Sequence, residues 1–147
     1  MTPLTVLRYG LSGLVLAACL AVTNPALAEM ISLKAELKGS NEVPPNGSKG
    51  TGTVTATYDT ASKKLTWKGT YSDLTGPATM AHFHGPAEPD KTAVITVPIT
   101  PIKSPFEGSA TLTDAQAAEL IAGKWYVNIH TDAHPAGEIR GQVVKGM

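Results

Sequence analysis

The sequence predicts an all-β chain, a two-sheet antiparallel β-sandwich carrying one short helix. Three observations predict it. Several segments alternate apolar and polar residues with period two, Gly/Pro/Asn-rich turn signals separate about seven or eight such runs, and a single capping-box motif interrupts them. With 147 residues, two Trp, two Phe and four Tyr, the chain can bury one modest core, so one domain is expected.

Residues 31–38, Ile31-Ser32-Leu33-Lys34-Ala35-Glu36-Leu37-Lys38, alternate without a fault, as a strand with one buried face does. Residues 39–50 are dense in Gly, Ser, Asn and Pro and form a loop. Residues 51–58 place Val54, Ala56 and Tyr58 on one face, and residues 64–71 do the same with Leu65, Trp67 and Tyr71. The turn Asp59-Thr60-Ala61-Ser62-Lys63 between them makes a hairpin. A loop with Gly76-Pro77 leads to a strand at residues 80–84, which Gly85-Pro86 ends because proline cannot donate to a ladder. The near-continuous apolar run Ala93-Val94-Ile95-Thr96-Val97 suits a central strand. Pro98, Pro101 and Pro105 mark an irregular connection, and alternation resumes from Phe106 through Gly108 and Ala110 to Leu112.

Thr113-Asp114-Ala115-Gln116 fits a capping box, residues 115–122 are good helix formers, and Gly123 is placed to end the helix. About two turns are not stable alone, so this helix is expected to cover an open end of the sandwich. Residues 125–130 then set Trp125, Val127 and Ile129 on one face and Tyr126, Asn128 and His130 on the other. Residues 137–144 close the fold.

Residues 1–28 read as a signal peptide rather than as fold. Arg8 precedes an apolar stretch over residues 11–22, and Pro25-Ala26-Leu27-Ala28 supplies small residues at the two positions signal peptidase reads, so cleavage after Ala28 is expected. About twelve apolar residues fall short of the ~20 that span a bilayer, so no permanent transmembrane span is expected and the protein is periplasmic or secreted. The alternative is a lipoprotein, because Leu16-Ala17-Ala18-Cys19 resembles a lipobox. Cys19 is the only cysteine, so cleavage after Ala28 leaves residues 29–147 with no thiol and no disulfide. Lys plus Arg equals Asp plus Glu at twelve each, without a basic cluster, which excludes a nucleic-acid partner.

All four histidines fall in two segments, His82-Phe83-His84 and the stretch from His130 to His134. In an extended strand His82 and His84 point the same way, roughly 6.5 Å apart, and can share one metal ion. His130, on the face opposite Trp125, Val127 and Ile129, is the third nitrogen needed. His134, before Pro135 in a turn, is the fourth candidate ligand. Three neutral imidazoles without thiolates suit copper, with zinc as the alternative. Met80 shares the His82/His84 face and either packs or offers a thioether. Glu138, Arg140 and Gln142 also share a face. They form either a solvated ion-pair surface or a set that orients a ligand imidazole, and Arg140 is expected to tie the closing strand to loop carbonyls. No nucleophile elbow, phosphate-cradling loop or glycosidase carboxylate pair is present, so no catalytic residue is assigned.

Four ordered motifs carry a family resemblance: Asn41-Glu42-Val43-Pro44-Pro45, His82-Phe83-His84-Gly85-Pro86-Ala87, Leu120-Ile121-Ala122-Gly123 leading to Tyr126-Val127-Asn128-Ile129-His130-Thr131, and Gly137-Glu138-Ile139-Arg140-Gly141-Gln142. Together they resemble the CHRD (chordin) domain over about residues 31–144, here assigned to residues 29–147. The resemblance implies an immunoglobulin-like β-sandwich and an exported protein. His134 stands where the family pattern has asparagine. The His-x-His strand is also similar to that of copper/zinc superoxide dismutase, another sandwich, whose remaining motifs are absent.

Three functions fit these residues. The first is an exported, periplasmic metal-binding protein that stores, delivers or buffers copper. The second is a non-catalytic adhesion or protein-interaction module with a periplasmic or extracellular partner and structural histidines. The third is a copper enzyme with a superoxide dismutase-like activity, which needs an open coordination position.

Overall fold

The computed structural model of the protein describes residues 27–146. The expected signal peptide, Cys19 included, lies outside the described residues except for Leu27 and Ala28. Among the described residues nine strands and one α-helix follow in order, with a single 3-10 turn at Gly39–Asn41 after the first strand: β1 (Met30–Lys38), β2 (Thr51–Asp59), β3 (Lys64–Ser72), β4 (Ala78–His84), β5 (Ile95–Pro98), β6 (Phe106–Thr111), α1 (Asp114–Ile121), β7 (Tyr126–Thr131), β8 (Ile139–Gln142) and β9 (Val144–Lys145). Among the described residues no helix is long and apolar enough to cross a membrane.

Hydrogen bonding runs along one path, β5-β4-β7-β8-β1-β2-β3-β6, with β9 added to β1. All pairs are antiparallel. The path is weakest between β8 and β1, which share one residue pair, Lys38 opposite Arg140. The sheet therefore divides into β5-β4-β7-β8 and β1-β2-β3-β6, two halves that close on one core as the layers of a sandwich do. Trp67 of β3 meets Phe83 of β4 edge-on at 5.1 Å between ring centroids, joining the halves. The alternating residues Leu33, Ala35 and Leu37 of β1, Val54, Ala56 and Tyr58 of β2, and Val127 and Ile129 of β7 complete that core. Each full-sized apolar side chain contributes about 1.5–3 kcal/mol on burial.

The β2–β3 hairpin turns where expected. The Asp59 carboxylate accepts from the Ala61 and Ser62 N–H groups and from the Ser62 hydroxyl. The capping box is also present: Thr113 Oγ1 accepts from the Gln116 N–H at 3.2 Å, and Gln116 Oε1 accepts from the Thr113 N–H at 2.9 Å. Ala117 and Leu120 bury the inner side of α1 in the core, and Gly123 ends it at φ +76°.

One strand departs from expectation. The apolar run at residues 93–97 is not central: β5 begins at Ile95, lies at the end of the sheet path and pairs only with β4. Val94 and Ile95 are 76% and 53% exposed. Apolar character without alternation carried no information about which neighbours would be available.

Two loops fold over the outer side of β4, β7 and β8. Residues 39–50 are tied to β8 by Asn46, whose Nδ2 donates to the Glu138 carbonyl at 3.0 Å. Residues 85–94 are tied by the Arg140 guanidinium and by Gln142, whose Nε2 donates to the carbonyls of Ala87 and Gly123. As a result every residue of β7 is buried, on both faces.

Candidate metal centre

β4 and β7 are direct neighbours, with Met80 opposite His130, His82 opposite Asn128 and His84 opposite Tyr126. Because alternate residues share a face, this register gathers three imidazoles and one carboxamide on a single patch. One nitrogen from each of His82, His84 and His130 lies within 4.8 Å of the others, an arrangement that could hold a metal ion. His82 Nδ1 stands 3.3 Å from His130 Nε2. That matches the roughly 3.3–3.4 Å expected between two nitrogens bound to one tetrahedral zinc at 2.0–2.1 Å.

The tautomers follow from the partners. His84 Nδ1 is 3.0 Å from the Ala93 carbonyl and His130 Nδ1 is 2.9 Å from the Pro135 carbonyl. A carbonyl oxygen only accepts, so in the neutral ring each Nδ1 carries the proton and each Nε2 presents a lone pair. Both lone pairs point at the same place, where Asn128 Oδ1 lies 2.9 Å from His84 Nε2 and 3.0 Å from His130 Nε2. His84 Nε2 and Asn128 Oδ1 thus face each other as acceptors without a donor, unfavourable by about 1–3 kcal/mol each when buried. A cation at their meeting point removes that conflict. An imidazole that donates its outer N–H to a carbonyl is the usual orientation of a histidine ligand.

Electrostatics favour the neutral form of His82 and His84. Burial, reinforced by the charges of His130 and His84, holds His82 below the ordinary imidazole range. Burial likewise lowers His84, with the charges of His130 and Arg140 adding to it and the hydrogen bonds to Ala93 and Asn128 opposing it. Arg140 acts from one layer away: its guanidinium carbon sits 3.5 Å over the Tyr126 ring, and Tyr126 stacks on His84 at 4.8 Å with 2° between planes.

The remaining candidates take different places. His134 sits in the turn after β7, its N–H donating to the Thr131 carbonyl, and its imidazole is outside the three-nitrogen group. Met80 does not pack into the core; it is about half exposed and, with His82, lines a shallow depression with Pro98 and Ile99. Arg140 ties the closing strand to a loop as expected, donating to the Lys91 carbonyl at 2.6 Å. Glu138 corrects the expectation of a solvated ion pair. It is completely buried, makes no salt bridge and accepts four hydrogen bonds, from Ser48 Oγ, Thr75 N–H, Thr75 Oγ1 and Thr131 Oγ1. Burial works to raise its pKa, but these four donors outweigh it and bring the group to about 2.

A family model described as the CHRD domain matches residues 33–143. The chain belongs to the CHRD domain family. The matched span of this CHRD chain holds His82, His84, His130 and His134, together with the two covering loops. No curated protein and no solved structure matches the chain.

Sequence reasoning set Asn128 on the histidine face but gave it no role. The signal was available in the alternation of Tyr126, Asn128 and His130. Glu42 stood in the sequence only as part of a family motif, with no role of its own. It is buried, its Oε1 has no hydrogen-bond partner, and burial pushes its carboxyl up to about 7 against the lowering effect of Arg140.

Proposed function

We propose that this CHRD protein is an exported metal-binding protein that takes copper through His82, His84 and His130 and stores, delivers or buffers it. The observation that carries the reading is the pair of carbonyl-anchored imidazoles, His84 and His130, whose Nε2 lone pairs converge beside His82. For one nitrogen site the intrinsic order of affinity puts copper above zinc, and no thiolate lies in residues 29–147 to reverse it. Three histidines leave the rest of the shell to a further ligand or an exchangeable group, and a position kept exchangeable suits delivery better than a closed structural ion does. His134, next to the carbonyl that anchors His130, is the residue we assign to the edge of this site.

The test uses untagged protein recovered from the periplasm, with intact mass and metal content read on the same sample. A chain beginning at Glu29 and carrying copper supports the reading, and a mass matching lipidated Cys19 moves the protein to a membrane anchor. Copper titration followed by paramagnetic resonance then compares variants. His84→Ala combined with His130→Ala is expected to lower affinity by more than about 100-fold, beyond the range produced by loss of an outer hydrogen bond, while His134→Ala weakens it only partly. Undiminished affinity in the double variant ends the proposal. Protein that takes up neither copper nor zinc leaves His84 and His130 as braces of their loops in a protein-interaction module.

A further inference from the structure

We infer that Asn128 is a fourth ligand, its carboxamide oxygen completing a three-nitrogen, one-oxygen site. The inference rests on the metal-binding reading above and adds to it a residue from the middle of β7. Asn128 lies directly across the ladder from His82 and two residues before His130. Its Oδ1 is within 3.0 Å of both His84 Nε2 and His130 Nε2. Ligand atoms about 2.1 Å from one ion and at right angles to each other stand about 3 Å apart, as in tetragonal copper, and a hydrogen bond has the same length, so the choice rests on which amide atom faces the imidazoles.

The orientation of the amide decides between a ligand and a simple hydrogen-bond donor. Turned the other way, the amide would donate one N–H to each imidazole, and its oxygen would face the opposite side. On that side stands a backbone carbonyl, which only accepts. Asn128 Nδ2 is 3.5 Å from the Ala136 carbonyl. It also abuts the bare Cα of Gly137 together with Glu42 Oε1: a methyl group built there would lie 2.7 Å from Asn128 Nδ2 and 2.5 Å from Glu42 Oε1. Glu42 Oε1 is buried and has no partner of its own. The Ala136 carbonyl only accepts, so an amide N–H placed toward it is favourable and an amide oxygen placed there is not, which holds Oδ1 inward. Gly137, at φ +130°, keeps that approach open because any side chain would separate Glu42 from Asn128.

Glu42 shares this side of the amide, packed against the Gly137 Cα. It comes from the Asn41-Glu42-Val43-Pro44-Pro45 motif, which had no chemical role in the sequence. The loop that carries it meets the metal patch through Gly137.

The test is copper and zinc titration of the full mature protein with two substitutions. Asn128→Leu, close in size, removes the oxygen, and Asn128→Asp keeps an oxygen facing the site and adds charge. The leucine variant is expected to lose more than about 100-fold in affinity, beyond the about 10–100-fold typical of an outer hydrogen bond, and to change the g and hyperfine values of bound Cu(II). The aspartate variant is expected to bind at least as tightly as wild type, with a different spectrum from wild type. Should the leucine variant fail to fold, the aspartate comparison stands alone, and an unchanged copper spectrum there overturns the assignment. A leucine variant with wild-type affinity and spectrum overturns it too, as does reduced affinity with an unchanged spectrum. Failure of the wild-type protein to bind either ion is the failure of the three-histidine reading instead.

Discussion

Glu138 shows what a single buried carboxylate does when no cation is near it. Its two oxygens accept from Ser48, Thr75 and Thr131, three residues on separate stretches of chain, so one side chain gathers the 39–50 loop, the β3–β4 connection and the end of β7. The four donors favour the ionised form and set its folded pKa at about 2, against 4.5 for an unperturbed carboxyl. The group therefore contributes stability in full above pH 4.5, and that contribution fades as the pH falls toward 2. Glu138→Gln should lose about 3 kcal/mol at pH 7, judged from the size of the shift, and much less near pH 2. Urea unfolding at the two pH values checks this, and an equal loss at both would falsify the electrostatic account. From sequence the residue was legible only as a charge in a glycine-flanked strand. Its nearest partner in the chain, Thr131, is seven residues away, and Ser48 is ninety.

At the scale of elements the sequence was most informative where one face alone is buried. β1, β2 and β3 follow their alternation residue by residue, and α1 begins at its capping box, because those signals are local and each is sufficient by itself. β5 was misread because its apolar run is short and unalternating, and its position was set by the partner β4 rather than by its own residues. The seam between β8 and β1 was also hidden. Gly141 lies so close to β1 that a methyl group there would be 2.4 Å from the Glu36 carbonyl oxygen and 2.7 Å from its carbon, both backbone atoms that cannot turn aside. Gly141→Ala should therefore push β8 away from the strand it joins by one residue pair, with a loss of about 1–3 kcal/mol. Gly47→Ala is the control, since nothing lies within 4 Å of the added methyl. It is expected to change stability by less than about 1 kcal/mol in either direction. Thermal unfolding of the two variants side by side measures the difference.

For the molecule as a whole, the site joins parts that the backbone alone connects loosely. The three histidines were legible because alternation fixes which residues of a strand share a face, and a single assumption, that β4 and β7 are neighbours, brings them together. What surrounds them was not legible. The carbonyls of Ala93 and Pro135 belong to loops without periodic signature, and although alternation put Arg140 and Gln142 on one face and Arg140 against a loop, it did not say which carbonyls would reach the imidazoles. An ion held by His82, His84 and His130 binds the folded chain and not the unfolded one, so it stabilises the protein by linkage. With free copper at 100 times the dissociation constant the gain is about 2.7 kcal/mol, which for a domain of this size raises the unfolding temperature on the order of 10 °C. That rise should be absent when His84 and His130 are both alanine. It should also depend on pH in a defined direction. Free imidazoles lose metal as they protonate around ~6.5, but burial lowers the pKa of both His82 and His84, so these rings stay neutral further into acid. The copper-induced rise should accordingly persist at pH 6.5 and decline only below it, and scanning calorimetry with and without copper from pH 7.5 to pH 5 tests this. A rise that had already vanished at pH 6.5 would contradict the buried, neutral state of His82 and His84.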